Sequence, residues 1–277
     1  MSERPIFRDS ARQSAFDRDG FVVVDFLDRR AIDRLLSSWS ALGSDLQRFP
    51  FSNTIMSGDV DYRSRVHDAV RREIEDGIDD LLFDYRVCLC SYLAKPAVPS
   101  AQRGVVELHQ DWTFVDESRF FSIGLWIPLV DVGEDNGCLR VVPGSHRLNR
   151  EPRCLSSGFR YDSLLPLIER EFLQAIPMRA GRAFVYTQSL FHSSQPNRSD
   201  ALRLVAGALA IPREASLLFV APAGMDSVAI HEVDDAFYQR YQFGSVPDLD
   251  APVALAPHRF EPLTEHTLRD RLRGVHV

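Results

Sequence analysis

The chain has 277 residues, 45% of them hydrophobic and 26% charged, with a formal net charge of −7. That supplies enough apolar material for one large core, in the size range of single-domain β-sandwiches and barrels. The acidic balance, with no clustered basic face, excludes nucleic acid and anionic membrane surfaces as partners.

The opening Met1-Ser-Glu-Arg-Pro lacks the apolar core of a secretion signal, and no apolar run approaches the roughly 20 residues of a membrane span, so a cytoplasmic protein is expected. Ser10 to Arg18 reads as a helix, Asp19-Gly20 as a turn, and Phe21 to Asp25 as a β-branched strand. Asp28 has the chemistry of an N-cap, ahead of Ile32, Leu35, Leu36 and Trp39 at helical spacing. A further helix over Tyr62 to Leu82 carries Val66, Val70 and Ile74 on one face. From Arg86 the texture changes to strands: Arg86 to Ala94, Val105 to Asp111, Phe120 to Val130, Cys138 to Val142, Ala183 to Gln188, Leu202 to Ile211 and Leu217 to Ala221. Asn136-Gly137 predicts a type I′ hairpin, because both residues tolerate positive φ. Residues 144–170 predict a long excursion bordering the site. In the tail beyond about Pro222, Asp234 to Phe243 predicts a short aromatic helix placed to fold back over the mouth of the core. Cys88, Cys90, Cys138 and Cys154 lack zinc-type spacing and are expected to be buried thiols.

The chemistry concentrates in Val-Glu-Leu-His109-Gln-Asp111-Trp-Thr-Phe and, downstream, Leu-Phe-His192-Ser-Ser. Alternate residues of a strand share a face, so His109 and Asp111 can grip one ion together. Two imidazoles and one carboxylate on one side of a metal leave the other positions open, the arrangement of non-heme Fe(II) oxygenases. His67, His231, His258, His266 and His276 have no partner at ligand spacing and read as surface or hydrogen-bonded residues. Glu107 shares the strand face of His109 without being expected as a ligand.

Further segments surround these residues: Phe121-Ser-Ile-Gly-Leu-Trp-Ile-Pro-Leu129, Asp131, Asn136-Gly137 through Pro143-Gly144-Ser145-His146, Phe191-His192-Ser-Ser-Gln-Pro-Asn197, and Arg203. In order and spacing, from about Asp19 to about Pro212, the sequence resembles the phytanoyl-CoA dioxygenase family of Fe(II)- and 2-oxoglutarate-dependent oxygenases. The resemblance implies a mainly β fold with flanking helices and a double-stranded β-helix (jelly-roll, cupin-like) core. Residues 1–277 would then be one oxygenase domain: a helical part to about 85, the core over about 86–222, and a tail over the active site. It also implies Fe(II) on His109, Asp111 and His192, with 2-oxoglutarate and O2 in the open positions.

Arg203 matches the family position for the distal carboxylate of 2-oxoglutarate, and a planar, permanently charged fork suits that task; its apolar neighbours Leu202, Leu204, Val205 and Ala206 suggest that it is buried. Ser194 matches a family hydroxyl near the same carboxylate, or is a strand-end hydroxyl satisfied by backbone. Lys95, the only lysine, lies where some relatives place a polar group near the cosubstrate, or is a solvent-exposed strand end. Trp126 falls where the family has a bulky residue beside the cosubstrate; Trp112, Phe114 and Phe121 either wall a substrate pocket or belong to the core. Asp116 and Glu117 either meet the substrate at the mouth or form a solvated loop, and His146 closes a turn. The resemblance implies oxidation, most simply hydroxylation, of a C–H bond in a small polar or amphipathic metabolite; Asp111 argues against halogenation, because related halogenases have a small residue there, and leaves hydroxylation, desaturation and ring formation open. Two alternatives stand beside it: a cupin-like protein that binds a metal or small ligand without turnover, and a metal enzyme that does not use 2-oxoglutarate.

Overall fold

A computed structural model describes residues 4–43, 49–97, 104–154, 158–224, 226–245, 247–258 and 261–273. The amino-terminal third holds helices α1 (Ser10–Asp19), α2 (Arg29–Leu42) and α3 (Val60–Leu81), with strands β1 (Phe21–Asp25) and β2 (Ser52–Asn53) between them. Each helix begins at an aspartate that accepts a backbone N–H: Asp9 from Arg12, Asp28 from Ala31 and Asp59 from Tyr62. These caps satisfy donors that the first turn leaves without partners.

The core strands are β3 (Tyr85–Lys95), β4 (Val106–His109), β5 (Ile123–Pro128), β6 (Leu139–Val141), β7 (Gln174–Ile176), β8 (Arg182–Thr187), β9 (His192–Ser194) and β10 (Arg203–Pro212). Six strands form one antiparallel sheet in the order β1-β8-β5-β10-β3-β2, and four form a second in the order β4-β9-β6-β7. Ile127, Val185 and Ala206 pack the large sheet against Leu35 of α2 and Val66, Val70 and Ile74 of α3. Trp126, Phe184 and Val205, on its other face, meet Leu139 and Val141 of the small sheet. Burial on both faces explains why β5 reads as an apolar run instead of alternating. Two facing antiparallel sheets with helices on one outer side make the double-stranded β-helix expected from the sequence.

The rest of the chain adds α4 (Leu165–Glu171), a three-stranded sheet of β11 (Leu217–Pro222), β12 (Ser227–Val233) and β13 (Ala254–Pro257), and helices α5 (Phe237–Arg240) and α6 (Glu265–Arg273). The excursion over 144–170 is largely packed: Leu164, Leu167 and Ile168 share a cluster with Leu268 and Leu272 of α6 and with Phe191. Among the described residues no helix is long and apolar enough to cross a membrane.

The Asn136-Gly137 hairpin does not form. Gly137 takes the expected left-handed conformation, φ 79°, but it ends a 3-10 turn over Glu134–Asn136. The strands on either side, β5 and β6, lie in different sheets, and the Asn136 side chain instead accepts from Gly133 N–H and donates to the Asp131 carbonyl. The positive-φ residue was legible; whether the flanking strands paired depended on sheet membership, which a dipeptide does not encode.

Candidate active site

Strands β4 and β9 are neighbours in the small sheet, and their register sets His109 directly opposite His192. The imidazole centroids are 4.2 Å apart. Strand β4 ends at His109, two residues short of the expected boundary, yet the Asp111 N–H still donates to the Gln188 carbonyl at 2.9 Å. This bond keeps the segment against the sheet and turns the Asp111 carboxylate toward both histidines. His109 Nε2 lies 3.6 Å from Asp111 Oδ1, and His192 Nε2 lies 3.7 Å from Asp111 Oδ2. The three ligand atoms lie within 4.8 Å of one another, longer than direct hydrogen bonds and close enough to converge on one cation.

Both imidazoles are oriented for that task. The Nδ1–H of His109 donates to the Glu107 carbonyl at 2.8 Å, and that of His192 to the Leu190 carbonyl at 3.0 Å. Each Nε2 therefore keeps its lone pair toward the common centre, the support that metal-ligating histidines generally have. Burial, and then the neighbouring His109, push His192 down to about 4, so it is neutral at physiological pH. Burial opposes ionisation of Asp111, but His192, His109 and the Tyr186 hydroxyl outweigh it and hold the carboxyl well below the usual range. Glu107 supplies its backbone carbonyl to His109; its side chain is exposed.

Several supports around the centre escaped the sequence reading. The Tyr186 hydroxyl on β8 donates to Asp111 Oδ2 at 2.9 Å. Tyr186 can lie there because Gly124 sits opposite it in the register: a Cβ at 124 would run into the phenol ring. Gln110 lies between His109 and Asp111 and donates instead to the Asn149 and Ser189 carbonyls. Arg153 donates to the Asp111 carbonyl and pairs with Glu117, both side chains being 4% exposed. Glu117 is thus a buried ion-pair partner, neither a solvated loop residue nor a substrate contact, while Asp116 accepts from the Ser118 N–H and hydroxyl. No local signal announces the pairing, since Glu117 and Arg153 are 36 residues apart in sequence.

A cavity of about 560 Å3 opens beside the triad between the two sheets, and Arg203, Trp126 and Ser194 all line it. Arg203 is 1% exposed, with its guanidinium 5.5 Å from the Trp126 ring centre. Its Nε and Nη1 are buried without a hydrogen-bond partner. Burial without a nearby anion pushes it down to about 9. Lys95, opposite Arg203 in the β3–β10 register, is fully buried, not a solvent-exposed strand end. It stands behind the cavity wall, where Nζ donates to Ser194 Oγ and to the Gln195 carbonyl, each at 2.6 Å, with the Ser194 carbonyl 3.1 Å away. Because the Ser194 oxygen accepts from Lys95, its own proton is free to be donated into the cavity. Phe121 belongs to the core on the far face of the large sheet, whereas Trp112 and Phe114 line the cavity. His146 is buried in the 3-10 turn over Ser145–Arg147, and His67 is buried in α3, where it accepts from the Cys90 N–H.

The tail reaches the mouth. Arg63 of α3 donates to the Gln239 and Arg240 carbonyls at the end of α5, and Phe243 beyond it rests 5.1 Å from the Trp112 ring as part of the cavity wall.

Comparison with known proteins agrees with this geometry. A phytanoyl-CoA dioxygenase from Arabidopsis thaliana is 35% identical over 102 residues, which cover 36% of this chain and 36% of that protein, so the matched stretch spans about a third of the relative. The epimerase SnoN, solved in complex with Fe3+, alpha ketoglutarate and nogalamycin RO, superposes with a TM-score of 0.57 at 19% identity, covering 88% of this chain and 95% of that one. HygX from Streptomyces hygroscopicus, solved with nickel, 2-oxoglutarate and hygromycin B, gives 0.54 at 16% identity over 74% and 88%. The family model for phytanoyl-CoA dioxygenase (PhyH) matches residues 16–205, a stretch that takes in His109, Asp111, His192 and Arg203, and the chain belongs to that family.

Proposed function

We propose that the chain, as one catalytic domain, is an Fe(II)- and 2-oxoglutarate-dependent dioxygenase that hydroxylates a C–H bond of a small molecule. The observation that carries this is the buried Arg203 guanidinium without an anion, in the same cavity as two histidines and a carboxylate poised around one point. A buried cation without a partner is costly, and a carboxylate that accepts from the guanidinium removes that cost. The donor set fits Fe(II), because nitrogen and oxygen ligands on one side leave the opposite positions open. Metal and 2-oxoglutarate together would supply the oxidant for the C–H bond, with O2 consumed and succinate and CO2 released.

The chain's own groups have distinct parts in this scheme. His109, Asp111 and His192 hold the ion, and Tyr186 fixes one carboxylate oxygen so that the other faces it. Arg203 and the Ser194 hydroxyl bind the distal carboxylate, Trp126 walls that end, and Lys95 orients Ser194 from behind. Phe243 and Trp112 cover the mouth and keep water from the reacting centre. With Asp111 in place as a ligand, a halide has no position to take, which favours hydroxylation. The SnoN and HygX structures with metal and keto acid support the cofactor assignment by likeness of fold.

The test is an anaerobic titration of metal-free protein with Fe(II) and then 2-oxoglutarate, followed by its weak visible charge-transfer band. The band is expected with the protein and absent from its Arg203→Leu variant at the same concentrations. A protein that binds Fe(II) but never develops the band refutes the use of 2-oxoglutarate.

A further inference from the structure

The cavity wall has a chemistry of its own. Phe51, Ile55, Leu93, Trp112, Phe114 and Phe243 make most of it apolar, from the metal end to the mouth. Among the described residues that line it, the charge-bearing side chains besides the two histidines are Asp111 and Arg203. On the function proposed above, both are already engaged: a divalent ion and the guanidinium are offset by Asp111 and a dicarboxylate. The filled site leaves no charge to receive an ionic substrate, and an ammonium, carboxylate or phosphate pressed into this wall would lose its water without replacement. The volume, about 560 Å3, within the usual range of about 300–1,000 Å3 for small-molecule pockets, has to hold 2-oxoglutarate as well as the substrate.

Besides Arg203, the wall residues Gln188 and Ser193 each carry a buried side-chain oxygen without a partner; Ser193 alternates with His192 and Ser194 along β9 and so points to the other face, which leaves Gln188. Gln188 is 4% exposed and lines the cavity, and its Oε1 is buried with no hydrogen-bond partner. Its backbone carbonyl holds the Asp111 N–H, and the residue lines the same cavity as His109, Asp111 and His192. A buried acceptor left unmade is unfavourable, and a donor from a bound molecule would satisfy it.

We propose that the substrate of this site is an uncharged, largely apolar molecule carrying a hydroxyl group, and that Gln188 receives this hydroxyl and so sets which C–H bond faces the metal. This narrows the small polar or amphipathic metabolite expected from the sequence to an uncharged, amphipathic one, and it rests on the dioxygenase reading. It excludes substrates whose charged groups must enter the cavity, such as zwitterionic amino acids.

The experiment uses the full chain loaded anaerobically with Fe(II) and 2-oxoglutarate, and follows quenching of tryptophan emission, to which Trp112 and Trp126 in the wall contribute. The probes are androstanol, its parent hydrocarbon androstane, palmitoyl-CoA and L-proline. Androstanol is expected to bind most tightly and to raise succinate release in air. Gln188→Leu should weaken androstanol about tenfold, the loss of one hydrogen bond, while leaving androstane and the 2-oxoglutarate band unchanged. Tighter binding of palmitoyl-CoA or proline, or no quenching by either neutral probe, overturns the substrate class. A Gln188→Leu variant that weakens 2-oxoglutarate, or both neutral probes equally, overturns the role of Gln188. Should the band itself be missing, the dioxygenase reading fails, and the quenching series, which needs no turnover, still decides the substrate class.

Discussion

The two sheets hold their share of the site in different ways. Arg203 opens the ten-residue β10, which pairs with β3 in unbroken register from Arg203 to Leu209, shifts register only beyond it, and pairs from Val205 onward with the six-residue β5 on its other side. His109 and His192 sit on strands of four and three residues, in a ladder whose register shifts between Val106 and His109. Regular backbone pairing thus places the proposed cosubstrate end. At the proposed metal end the ladder is too short, and side chains take over: Tyr186 on the carboxylate, Arg153 on the Asp111 carbonyl, and two backbone carbonyls on the imidazoles. A centre that must aim three groups at one point uses irregular backbone with many braces, whereas a lone guanidinium needs only a stiff strand.

Substitutions can break this contrast. The largest effect is expected from Asp111→Ala, which should lose Fe(II) on desalting and drop succinate formation to background; retained iron with full activity would refute the metal site. Arg203→Leu should keep iron and weaken 2-oxoglutarate about 100-fold, the loss of two charge-assisted hydrogen bonds, as read from the KM for 2-oxoglutarate. If iron is lost as well, the two ends are not independent.

Tyr186→Phe removes one brace and should lower Fe(II) affinity about tenfold, since groups that orient ligands commonly contribute about 10–100-fold; an unchanged affinity in competition with a chelator would show that the carboxylate needs no brace. The smallest effect is expected from Lys95→Met, which should weaken 2-oxoglutarate by about two- to tenfold, one neutral hydrogen bond, without touching iron. The same variant tests the lysine's charge. Burial, and then Arg203, push its amine down to about 6, so between about pH 6 and 10 the unfolded chain binds a proton that the folded chain does not. Stability from this group therefore rises with pH through that window. Buried Cys90 and Tyr85, whose pKa values burial raises, act oppositely at the alkaline end, which places the useful range near pH 7 to 8.5. With the only lysine gone, urea midpoints there should climb less steeply than in the parent chain; parallel slopes would mean that Lys95 is charged in the folded protein.

Local chemistry along the chain determined much of this protein. Aspartate caps, i,i+4 apolar faces on α2 and α3, β-branched runs, and the His109, Asp111 and His192 pattern are all contained in short stretches, because helix and strand periodicity is a local property. Apolar neighbours likewise foretold a buried Arg203. The tertiary structure alone decided whether Asn136-Gly137 joined two paired strands, that Lys95 turned inward to Ser194, and that Glu117 met Arg153. It also decided that Tyr186 would meet Asp111, and that Gln188 and Phe243 would line the cavity. Each of these depends on which distant segments become neighbours, and that is settled by how two sheets and their helices bury a common core, a sum over many weak contacts that no short window of sequence contains.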